Sequence, residues 1–170
     1  ILAVILILFT FMIFNVSADA VYTNNINIRS DSIDFTIKEK YNDDNALNIR
    51  KALDVNNNSA INSSEVDTFV DNYIESKKAE YPNYISIDNG NLTIEMKSVD
   101  MEFKNAVGDI NNNKLKVITE INFKIPSEIP DGYHEIWVQG HPSIKNMKIK
   151  LPDDVKLNSV NGLGNTMTTT

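Results

Sequence analysis

Between Leu115 and Ile125 every second residue is apolar or β-branched: Leu115, Val117, Thr119, Ile121, Phe123 and Ile125. Side chains on an extended chain point alternately to opposite faces, so this run presents one apolar face only as a β-strand covered on one side. A helix over the same residues would scatter them around its circumference. The chain must therefore build a sheet and lay something across one face of it. Shorter runs repeat the period: Ile26/Ile28, Ile33/Phe35/Ile37, Leu92/Ile94/Met96 and Val99/Met101/Phe103. The last two are out of phase by one residue near Ser98, which reads as a β-bulge. Strand-like stretches over Tyr133–Gln139, Met147–Leu151 and Val155–Leu157 complete the set, with turn signals at Gly108–Asn113, Pro126–Gly132, Gly140–Pro142 and Pro152–Asp154. Short strands at this spacing predict an antiparallel β-sandwich.

From Asp43 to Lys78 the period changes. Ala46, Ile49, Ala52 and Leu53 share one helical face, and Val66, Phe69, Val70, Tyr73 and Ile74 follow i, i+3, i+4, i+7, i+8 spacing. A polar Asn/Ser-rich loop separates the two runs, and Asp43 or Asp44 is placed to cap the first. The expected fold class is thus α+β: a sandwich-like antiparallel domain with a helical hairpin near its N-terminus. The expected divisions are 1–20, 21–42 (strands), 43–80 (helix–loop–helix) and 84–170 (β-rich).

Residues 1–20 read as an address rather than as part of the fold. Ile1 to Phe14 is apolar except at Thr10, and Ala18-Asp19-Ala20 follows as a small-x-small triplet. That pattern fits a secretory segment and its cleavage site. The run is shorter than the roughly 20 apolar residues that cross a bilayer. The rival is an uncleaved N-terminal anchor, and either way residues 21 onward are expected outside the cytoplasm, secreted or at the cell surface.

Charge and composition narrow the chemistry. The 170 residues carry 16 Lys+Arg against 23 Asp+Glu, and there is no cysteine. An acidic chain without a basic run is a poor match for nucleic acid. Disulfides, thiolate-ligated metals and thiol catalysis are ruled out. His134 and His141, the two histidines, do not form a zinc-binding pair. No nucleophile elbow or phosphate-binding loop is present, and no enzymatic activity is expected.

One segment carries a pattern with chemistry in it. Residues 54–65 read Asp-Val-Asn-Asn-Asn-Ser-Ala-Ile-Asn-Ser-Ser-Glu. With Asp54 at position 1, Asn56 and Asn58 fall at 3 and 5, Ala60 at 7, Asn62 at 9 and Glu65 at 12. A curled chain turns alternate side chains inward, and a carboxylate from the first turn of a following helix closes the shell. This segment, with its flanking helices over about 44–76, resembles the calcium loop of the EF-hand family. The resemblance implies Ca²⁺ as cofactor. Asp54, Asn56 and Asn58 would give side-chain oxygens, Ala60 its carbonyl, Asn62 a contact through water and Glu65 a bidentate carboxylate. It also implies that Ile61, at position 8, faces the core between the helices.

Two departures from that family stand out. Ser59 occupies position 6, where glycine is preferred because the backbone turns through positive φ, and Arg50 occupies a helix position that is usually apolar. With two charged ligands, the affinity expected is modest, roughly 10⁻⁴–10⁻³ M as in extracellular modules. Mg²⁺, which demands tight octahedral geometry, is expected to compete poorly. Such loops commonly pair through position 8. A second run with similar spacing, Asp109 to Glu120, has Lys114 and Lys116 at its positions 6 and 8 and reads instead as a hairpin turn. The single loop is then expected to pair with a sheet edge or with a second copy of the chain.

The alternative is a helix-capping turn that binds no metal, in an adhesion or assembly protein whose β-domain recognises a protein or glycan. Trp137, the only tryptophan, is expected in the core.

Overall fold

The computed structural model describes residues 20–161, and the apolar run and cleavage-like triplet fall outside them except for Ala20. The chain is α+β. Strands β1 (Val21–Ile28) and β2 (Ser32–Asn42) form a hairpin that leads into helix α1 (Asp43–Leu53). After the polar loop come a two-residue strand β3 (Ala60–Ile61) and helix α2 (Ser63–Lys77). A 3₁₀ turn (Tyr81–Tyr84), β4 (Ile85–Ile87) and a second 3₁₀ turn (Asp88–Gly90) follow. The remaining strands are β5 (Glu95–Lys104), β6 (Gly108–Asp109), β7 (Lys114–Lys124), β8 (Ile136–Val138) and β9 (Ile144–Lys150).

Five strands make the main sheet in the order β5-β7-β2-β1-β9. Of its four neighbouring pairs, β1–β2, β2–β7 and β5–β7 are antiparallel and β1–β9 is parallel. The sheet is mixed, and the strands do not divide into the two packed antiparallel sheets of a sandwich. Two short ribbons, β3–β6 and β4–β8, stand apart from it. The slip near Ser98 is present: the β5–β7 register shifts between Met96 and Ser98.

One face of the sheet carries the core, and it does so in two patches. At one end Ile26, Ile28, Ile33, Phe35, Ile121 and Phe123 pack beneath Tyr81, Ile85 and Ile87 of the 3₁₀ turn and β4. At the other end Leu115 and Val117 pack with Ala46 and Leu53 of α1, Ile61 of β3 and Ala106. Phe69 of α2 meets Phe103 of β5 edge-on at 5.7 Å. The helix–loop–helix thus covers one half of the sheet and the β4–β8 ribbon the other.

Several expectations change in detail. Asn42, not Asp43 or Asp44, holds the N-cap position of α1 and makes no side-chain cap bond. Asp43 is drawn elsewhere: its Oδ1 accepts from Asn113 Nδ2 at 3.0 Å and its amide donates to Asn113 O at 2.8 Å. Trp137 is 51% exposed. In β8 its neighbours Ile136 and Val138 are half-buried, so alternation turns the indole outward. His134 is half-buried. Its Nδ1 lies 2.7 Å from Asp88 Oδ2 and its Nε2 2.8 Å from Pro130 O. Hydrogen bonding to Asp88 raises the His134 pKa, and the same contact lowers that of Asp88.

Candidate metal centre

Helix α1 ends at Leu53, and Asp54 caps it with its amide on Arg50 O at 3.0 Å. The chain then curls. Asp54 Oδ1 accepts from Asn58 N at 3.1 Å and Oδ2 from Ser59 N at 2.9 Å. Asn56 Oδ1 accepts from the same Asn58 amide at 3.0 Å. One N–H therefore draws the oxygens of positions 1 and 3 together. Asn58 Oδ1 in turn accepts from Ala60 N at 2.8 Å, an Asx-type turn that leads the chain into β3.

The closing carboxylate comes from α2. Asn62 caps that helix in a reciprocal box: Asn62 Oδ1 accepts from Glu65 N at 3.0 Å, and Glu65 Oε2 from Asn62 N at 3.0 Å. Glu65 Oε1 accepts from Asn56 N at 3.3 Å, which places this carboxylate over the curl. Among the six sequence-predicted ligands, Asp54, Asn56, Asn58 and Glu65 are thus linked through the amides of the loop. Ala60 lies in the β3–β6 ladder, and the Asn62 carboxamide oxygen is engaged in capping.

The electrostatics are one-sided. Asp54 and Glu65 are 5% and 8% exposed, yet neither meets a Lys, Arg or His within ion-pair distance among the described residues. Asp54 also sits at the carbonyl end of α1, where the helix dipole disfavours a negative charge. Backbone amides offset part of this cost, since each carboxylate accepts two. Among the described residues no cluster holds three or more His, Cys, Asp or Glu. Two carboxylates and the carboxamides of Asn56 and Asn58 form an oxygen-only donor set, which suits a hard divalent cation and not zinc or copper.

The loop has its strain where the sequence places it. Asn57 and Ser59 adopt φ of 58° and 66°. Asparagine tolerates this region, but serine does so at a cost. Ser59→Gly keeps the amide that bonds Asp54 and removes the Cβ penalty, so unfolding in urea is expected to need about 0.5–1 kcal/mol more. An unchanged midpoint would mean that the loop relaxes that strain another way.

Sequence reasoning missed the neighbour on which the loop rests. Ala60 and Ile61 pair with Asp109 and Gly108 of β6, within the connector between β5 and β7. This is the Asp109 turn, which is a turn as read, with Glu120 lying along β7 opposite Thr36 and Asp100. Arg50, at a helix position usually apolar in that family, is fully buried against this connector. Its position on the Ala46–Leu53 stripe was the available signal. No helix among the described residues is long and apolar enough to cross a membrane. The chain matches no protein-family model, no curated protein and no solved structure.

Proposed function

We propose that this is an exported protein in which the loop 54–65 holds one Ca²⁺ in the manner of an EF-hand, bracing α1 and α2 against the sheet. One observation carries the reading: two buried carboxylates face a single curled loop with no protein cation among the described residues to balance them. A divalent ion would neutralise both and take further oxygens from Asn56, Asn58 and the main chain. Export rests on the apolar run and small-residue triplet at the start of the sequence. An affinity of roughly 10⁻⁴–10⁻³ M suits an environment where calcium is abundant.

The test is a titration of the full chain with Ca²⁺ and with a luminescent lanthanide, beside Glu65→Gln. Wild type is expected to saturate near millimolar calcium, and the variant, short one charge and one oxygen, to bind at least tenfold more weakly, about 1.4 kcal/mol. Equal and absent responses in both chains would remove the metal role.

A second reading draws on the exposure of Trp137 and Tyr133, 51% and 74%. Exposed aromatics favour a recognition surface for protein or glycan on the β4–β8 ribbon, with the loop serving as a turn.

A further inference from the structure

Arg50 is the largest fully buried side chain, and it carries a charge. Among the described residues no carboxylate lies in ion-pair contact with it. Its guanidinium instead donates to four main-chain carbonyls. Nη1 reaches Ala106 O at 2.7 Å and Asp109 O at 3.4 Å, while Nη2 reaches Asn105 O and, at 3.2 Å, Lys114 O. All four belong to the connector between β5 and β7 or to its junction with β7. Burial lowers the Arg50 pKa and the Asp109 charge opposes that shift. A guanidinium stays protonated under ordinary conditions.

The same connector holds the candidate metal loop from the other side. Gly108 and Asp109 pair with Ile61 and Ala60, and Ile110 N donates to Ser59 O at 3.3 Å. The main chain of Arg50 accepts from the amide of Asp54, so the buried cation sits one helical turn before the first candidate ligand. A two-residue ladder has little stability of its own. It becomes a rigid support only if its far strand is fixed, and the fork of an arginine can fix four carbonyls where the point charge of a lysine cannot.

We infer that Arg50 is a positioning residue for the metal loop, fixing the β5–β7 connector as the loop's partner so that one loop binds one calcium ion in a monomer. This rests on the calcium reading above. The pairing at Ile61 is satisfied within the chain, which leaves no need for a second copy. Fixing the partner strand in advance lowers the ordering cost of ion binding.

The experiment compares wild type, Arg50→Lys and Arg50→Met as full chains. It reads calcium affinity, ion stoichiometry, molecular mass in solution and hydrogen exchange at the Ile110 amide without metal. Wild type is expected to be a monomer binding one ion. Arg50→Met should lose about tenfold in affinity and in Ile110 protection, and Arg50→Lys should recover part of both. A folded Arg50→Met with wild-type affinity and protection, or calcium binding that requires dimerisation, overturns the inference. Should Arg50→Met not fold, Gly108→Ala decides. There a Cβ meets open space but the φ of +112° disfavours any side chain. Weaker binding with a faster Ile110 supports the inference, and unchanged binding and protection refute it. If wild type binds no calcium, the calcium reading and the metal half of this inference fall together. The exchange rates of Arg50→Met then still decide whether Arg50 docks the connector.

Discussion

Arg50→Ala is expected to lower the unfolding free energy by about 3–5 kcal/mol, because several hydrogen bonds from a charged donor and the packing of a large buried side chain are lost together. Each hydrogen bond from a charged donor is worth about 1.5–3 kcal/mol, and several are lost together here. Water reaches some of the freed carbonyls, so the sum is not realised in full. Truncation also leaves a void between Ala46 and Leu53 on the buried face of α1. A domain of this size has about 5–15 kcal/mol in total, so the loss is a large fraction of it. Urea unfolding followed by far-UV circular dichroism reads the change directly. A loss below about 1 kcal/mol, the level of a surface substitution, would show that the guanidinium is not what holds the connector.

Calcium itself is the second large effect. A ligand that binds only the folded state stabilises it by about 2.7 kcal/mol at a hundredfold excess over its dissociation constant. For a chain of this length that corresponds to a rise in Tm of about 5–10 °C. Glu65→Gln, binding at least tenfold more weakly, should cut the rise to about half or less while leaving the metal-free Tm close to that of wild type. The amide oxygen of Gln still accepts one of the two backbone bonds now made by Glu65. Magnesium at the same concentration should give a much smaller shift, because it demands a tight octahedron that this loop does not enforce. Identical shifts with both ions, or a shift undiminished by Glu65→Gln, would point to screening of an acidic surface and not to occupancy of the loop.

The features that local periodicity governs were legible in the sequence. The Leu115–Ile125 alternation became β7, the phase slip near Ser98 became a register shift, and the change to helical spacing marked α1 and α2. Long-range partnership was not legible. Nothing in Ile144–Lys150 distinguishes a strand that lies parallel to β1 from one that turns back antiparallel. The outward face of Trp137 escaped because apolar residues occupy both sides of a three-residue strand, so alternation assigns no inside.

The loop is a local object, and its curl, cap and left-handed residues followed its sequence closely. Its support did not, because the contacts of Arg50 join residues more than fifty positions apart through main-chain oxygens that carry no side-chain signature. The Asp88 partner of His134 was illegible for the same reason, being remote in sequence.

The parallel pairing of β1 with β9 has a kinetic consequence. The strand nearest the start of the described chain is flanked on one side by residues 144–150, near its end. Closing so long a loop delays a contact until the intervening segments have found their places, and topologies rich in such contacts fold in milliseconds to seconds. During synthesis β1 and β2 can form their hairpin early, but one margin of β1 stays bare until residues 144–150 have emerged. Any nascent intermediate therefore displays a hydrogen-bonding margin bearing Tyr22, Ile26 and Ile28, and that interval is when the molecule is most exposed to mispairing.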